Sequence, residues 1–156
     1  MPSWLKTVLI VLIVIVIGVA VAAPLGPLPG FRLGGSAASA PEQWPTRLPD
    51  EVRLANYSGA LPHVVIIWVV ETDNKLYVIG DPASTWVQGV TDSPEVRLRI
   101  EDSVYEMTAE RLNPGPMHIF QTYIDRYKDD YPEIIASFPP PEQFAGSAAV
   151  FELTRR

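Results

Sequence analysis

The chain has 156 residues, a formal net charge of -6 and no cysteine. An acidic balance excludes phosphate-backbone binding, which needs clustered Lys and Arg to release counterions, so no nucleic acid is expected as a partner. The lack of cysteine excludes thiolate metal sites, disulfides and a thiol nucleophile. The two histidines, His63 and His118, stand in no paired-ligand spacing, so no metal site is expected.

In chain order, the first predicted element is a helix that is apolar all round. Every residue from Val8 to Ala23 is apolar or glycine, and with Leu5 the stretch approaches the ~20 residues that span ~30 Å of hydrocarbon. Residues 1-23 therefore read as a single N-terminal transmembrane helix, with the bilayer as partner through residues 5-23. A cleavable signal peptide ending at Ala20-Val21-Ala22 is the alternative. Lys6 against a lone Arg32 places the N-terminus inside and the rest of a single-pass membrane protein outside. Residues 24-50 carry Pro24, Pro27, Pro29, Pro41, Pro45 and Pro49 among Gly, Ser and Ala, the composition of a tether.

Residues 51-156 read as one mainly-β domain. Glu51 to Tyr57 is a first strand ending at Ser58-Gly59. From His63 to Val70 both faces are apolar, so both must be covered, which suggests a barrel wall capped outside by a helix, by a neighbouring sheet or by a second subunit in a homodimer. Lys75 to Gly80 is its hairpin partner through the Asp73-Asn74 turn. A short helix is expected near Ser84 to Thr91. Val96, Leu98 and Ile100 then alternate with Arg97, Arg99 and Glu101, and after Asp102-Ser103 the alternation resumes with Tyr105, Met107 and Ala109 inward. Asn113 is a candidate cap for a helix striped by Met117, Phe120, Tyr123, Ile124 and Tyr127. A helical turn from Pro132 precedes Pro139-Pro140-Pro141, and a last strand presents Ala149, Phe151 and Leu153 on one face. Closing such a sheet removes its edges, and the fold class is a split β-barrel with one or two packing helices.

Several of these residues carry a family resemblance. The run from Pro62-His63 through Ile67-Trp68-Val69-Val70, the hairpin at Asp73 to Val78, Trp86, and Pro94 with Val96 to Ile100 resemble the split β-barrel flavoproteins. The deazaflavin-dependent nitroreductases are the nearest branch; pyridoxamine phosphate oxidases and other FMN-binding split barrels are more distant. The resemblance covers residues 51 to 154. It implies FMN or a deazaflavin as cofactor and an oxidoreductase passing hydride to a quinone, nitro compound or similar small-molecule electron acceptor, with no catalytic side chain of the protein's own. By the same resemblance, Ser58, Gly59 and His63 meet the cofactor's phosphate, and Gly80 and Trp86 lie beside its ring. The family's basic turn is replaced here by Ser58-Gly59-Ala60-Leu61, so Arg97 and Arg99 are the nearest pair able to hold an anion instead. With that turn gone the cofactor is held differently or is lost, and the alternative function is a non-catalytic barrel for a hydrophobic ligand or a membrane protein partner.

Overall fold

The computed structural model describes residues 2–156. Its first element, α1 (Ser3–Ala22), exposes Trp4 and every large side chain from Val8 to Ile17. Among the described residues no helix is long and apolar enough to cross a membrane. The expected single-pass localisation, with the barrel outside the membrane, is thus overturned.

The stretch read as a tether lies along the barrel. Gly30 exchanges both backbone hydrogen bonds with Val64, each 2.8 Å. The two-residue strand β1 (Ser36–Ala37) runs parallel to a later strand at Ser103 and Val104. Trp44 and Leu48 are buried with the core. Three arginines fasten this strap by its carbonyls: Arg99 donates to Leu33, Arg155 to Pro41 and Glu42, and Arg126 to Leu48. The low apolar content hid this, because two large side chains in the right register suffice to dock a segment whose remaining polar groups are met by the barrel.

The strands are β2 (Glu51–Asn56), β3 (His63–Trp68), β4 (Val70–Thr72), β5 (Lys75–Gly80), β6 (Glu95–Ile100), β7 (Ser103–Leu112) and β8 (Ala149–Arg155). They follow the order β3-β2-β6-β7-β8-β5-β4. The two ends of that order are consecutive in the chain. β3 pairs antiparallel with β2 (Ala55 opposite Val64), β4 with β5 (Val70 opposite Tyr77), and only Val69 separates them. One kinked strand thereby closes the sheet into a barrel. At the kink the Tyr127 hydroxyl accepts from the Val69 N–H at 3.2 Å and lies 2.9 Å from the Val69 carbonyl, replacing the ladder bonds that the break removes. Asp73 and Asn74 both have positive φ, 53° and 62°, as the β4–β5 hairpin turn requires.

Inside the barrel lie Leu54, Leu76, Val78, Val96, Leu98, Met107, Phe151 and Leu153, all at most 3% exposed. Helix α2 (Thr85–Asp92) closes one end with Val87 and Val90. Outside, α3 (Met117–Tyr127), α4 (Pro132–Ala136) and α5 (Pro141–Ser147) cover the β4-β5-β8 wall through a second cluster. Trp68 points into that cluster and stacks on Tyr127 at 4.3 Å. Much of the cover that the doubly apolar β3 needs therefore comes from within the chain. Asn113 does not cap α3: Pro116 holds the N-cap position and makes no side-chain cap bond.

Candidate functional site

Ser58, Gly59, His63, Gly80 and Trp86 come from separate turns and strand ends, but the topology gathers them at the α2 end of the barrel. β2 finishes there at Asn56, β3 starts there at His63, and β5 finishes there at Gly80. Asn56 is the one buried polar residue of the described chain, 1% exposed. Its side chain is not orphaned: Oδ1 accepts from the Ser58 hydroxyl at 3.0 Å, and Nδ2 lies 3.4 Å from His63 Nδ1. Gly89 of α2 sits directly above, where an added Cβ would stand 2.7 Å from Asn56 Oδ1 and 2.8 Å from Ser58 Oγ. This polar knot ties α2 to the β2–β3 turn. It engages Ser58 and His63 in structure and brings no cation to the turn.

Gly80 is small for a related reason. A Cβ there would lie 2.1 Å from the Trp86 ring and 2.7 Å from Val87 Cγ2. Trp86 packs against the barrel interior, with its ring 6.1 Å from that of Phe151. It is a plug more than a wall.

Two openings flank α2, whose eight residues rise about 12 Å. The first is polar. Tyr57, Ser93, Glu95, Val96, Arg97, Glu106 and Arg156 line a recess of 290 Å³. Through Tyr57, Arg97, Glu106 and Arg156 it continues into a cleft of 870 Å³, whose other wall is the strap from Leu33 to Ala40. Here Arg97 lies 5.2 Å over the Tyr57 ring and donates to Glu106 at 3.3 Å, and Arg156 pairs with Glu95 at 3.1 Å. Arg99, its expected companion, is committed elsewhere: it donates to the carbonyls of Leu33 and Glu101 and pairs with Asp102 at 3.6 Å. Alternation placed both arginines on one face correctly, yet the strap consumes one of them. Arg155 and Arg156 were not singled out from the sequence, because only the return of β8 beside β7 brings the terminus to this cleft.

The second opening is apolar, a cavity of 420 Å³ between the end of β5 and helices α3 and α5. Gly80 and Asp81 form one side, and Phe120, Tyr123, Phe138 and Phe144 are among the rest. Phe144 stacks on Phe120 at 4.8 Å and meets Phe138 edge-on at 5.6 Å. Burial, with Tyr127 adding to it, pushes the Tyr123 phenol well above its usual range, so this wall stays uncharged. Nothing in the sequence announced α5, which supplies Phe144.

No family model and no curated protein matches the chain. Solved structures do. An F420 reductase superposes with a TM-score of 0.52 at 14% identity, covering 71% of this chain and 90% of that one. A conserved hypothetical protein of Mycobacterium tuberculosis gives 0.51 at 15%, covering 69% and 74%. An FAD-binding protein of Mesorhizobium loti gives 0.50 at 15%, covering 69% and 80%. At such identities the likeness speaks for fold, and it agrees with the closed strand order and the kinked β3–β4 strand: the chain has a split β-barrel fold like that of these structures.

Proposed function

We propose that the chain is a cofactor-binding split barrel of the flavin or deazaflavin type, with the cofactor's phosphate-bearing end in the Arg97 cleft. The observation that carries this reading is local charge. In a chain of net charge -6, the joined recess and cleft collect Arg97, Arg155 and Arg156 against Glu95 and Glu106.

The residues present fit such a group. Arginine forks match phosphate geometry, and Arg97 and Arg156 each face the cleft from a pairing that a doubly charged phosphate would compete for. The strap wall carries only small side chains at Gly34, Gly35, Ala37, Ala38, Ser39 and Ala40, leaving room for a flat body beside Tyr57. When bound, such a group supplies hydride transfer to an electrophilic acceptor of the quinone or nitro class. The chain's own part is to bind the anion through Arg97, to orient the flat body between strap and sheet, and to exclude water from that face. The fold likeness to an F420 reductase and to an FAD-binding protein supports the cofactor class.

The test is titration of the full chain with FMN and with a deazaflavin, followed by absorbance and fluorescence. Binding in the micromolar range is expected, with Arg97→Ala weakening it about tenfold through loss of a charge-assisted contact. A folded chain that takes up neither compound overturns the reading.

A further inference from the structure

We infer that the apolar cavity beside Gly80 and Asp81 is a second ligand site, built for an uncharged or cationic aromatic molecule of two or three fused rings that carries one hydrogen-bond donor. The inference is independent of the cofactor reading, because the two openings share none of their lining residues.

Size sets the first limit. An engineered apolar cavity of ~150 Å³ takes one benzene ring, so 420 Å³ has room for two or three fused rings and lies in the range of natural small-molecule pockets. Shape sets the second. The walls are aromatic faces held by one another: Phe144 is fixed between Phe120 and Phe138, and Tyr123 is anchored by its hydroxyl to the Trp68 carbonyl at 3.4 Å. Rings pinned in this way resist collapse into the void and favour a planar guest.

Charge sets the third. Asp81 and Ser147 are exposed at the cavity and, with the buried Tyr123 hydroxyl, are the polar side chains of its lining. The Ser147 hydroxyl is turned back to the Gln143 carbonyl. Asp81 Oδ1 accepts from the Ala83 N–H at 2.8 Å, which fixes the carboxylate in place while leaving Oδ2 to meet a donor. Among the described residues the lining contains no Lys, Arg or His. An anionic guest would therefore meet a carboxylate and no counter-charge, whereas a phenol or an aromatic amine would find an acceptor.

The experiment is titration of the full chain with 2-naphthol and with 2-naphthoate, read by the probes' own fluorescence. Binding of 2-naphthol is expected with a dissociation constant on the order of 100 µM, and of 2-naphthoate at least tenfold more weakly. Asp81→Asn should bring the two probes to within about threefold of each other, since the amide keeps the Ala83 contact and loses the charge. Ala148→Trp and, independently, Ile124→Trp should fill the cavity and abolish 2-naphthol binding while leaving flavin affinity unchanged. Arg97→Ala should do the reverse, which separates failure of this site from failure of the cofactor cleft. Absence of 2-naphthol binding to the folded chain, equal affinity for both probes, or binding that survives a folded Trp variant would each overturn the inference.

Discussion

Two apolar clusters share the wall made by β5 and β8, one inside the barrel and one outside it, and they are built from different residues. The inner one is chiefly aliphatic, from Val52 and Leu54 through Leu98 to Leu153, and its buried members carry no titratable side chain. In the outer one, five of the eight buried residues are aromatic, and three of those are tyrosines. Branched aliphatic side chains interdigitate and fill space, as protein interiors require. Rings meeting at fixed angles leave gaps, and the 420 Å³ cavity lies in the outer layer. The barrel is thus a filled scaffold, and both openings lie on its surface. The strand that is apolar on both faces lies between the two layers: Val65 and Ile67 pack against the inner one and Trp68 against the outer one.

That contrast can be broken most severely from within. Phe151 is 1% exposed in the barrel and meets Trp86 across it, so Phe151→Ala should cost about 4 kcal/mol in denaturant unfolding, the range of a buried aromatic reduced to alanine. Trp44 tests whether the strap belongs to the same layer. It is 6% exposed, lies edge-on to Tyr105 at 5.1 Å and sits beneath Arg155. We expect Trp44→Ala to cost about 3 kcal/mol, with a loss under 0.5 kcal/mol, typical of surface substitutions, showing that the strap adds nothing to the barrel. Tyr127 joins the two layers through its hydroxyl at the Val69 kink. Tyr127→Phe would leave buried backbone groups of Val69 without partners, so a cost of about 2 kcal/mol is expected despite the loss of a single oxygen.

The inner layer was far more legible in the sequence than the outer one. Val96, Leu98 and Ile100, then Met107 and Ala109, alternate with polar neighbours, and period two alone assigns their faces. The Asp73-Asn74 turn and the limits of β5 follow from equally local rules. The outer layer depends on contacts that no local pattern encodes. Ile119 is fully buried although it lies off the expected stripe, Met117 on that stripe is 44% exposed, and α5 emerged from a proline run. The strap was misjudged because Trp44 and Leu48 are isolated in a Pro-rich stretch, although an unpaired Trp in such a stretch is itself a signal of docking. At the site, the same limit applies. Gly80 and Trp86 were singled out by resemblance and Arg97 by strand alternation, whereas Arg155 and Arg156 needed the β7–β8 pairing to bring them to the cleft.

The smallest expected effect is also the most diagnostic of the two layers, because the phenols that burial raises, Tyr77, Tyr123 and Tyr127, all lie in the outer one. Burial raises Tyr123 well above its ordinary value of 10.0, and raises Tyr127 as well, where the neighbouring Arg126 works in the opposite direction. The folded state therefore holds these phenol protons more tightly than the unfolded chain does. Their contribution is fully present below about pH 10, where both states keep the proton, and is lost as pH rises from there toward the folded values, because the unfolded chain ionises first. Between about pH 9 and 11 the unfolding midpoint of the native chain should fall. Tyr123→Phe should fall less over the same interval, since one of the protons responsible is gone. An identical alkaline loss in both proteins would mean that Tyr123 is not sequestered, and that the aromatic layer is open to water where the structure shows it closed.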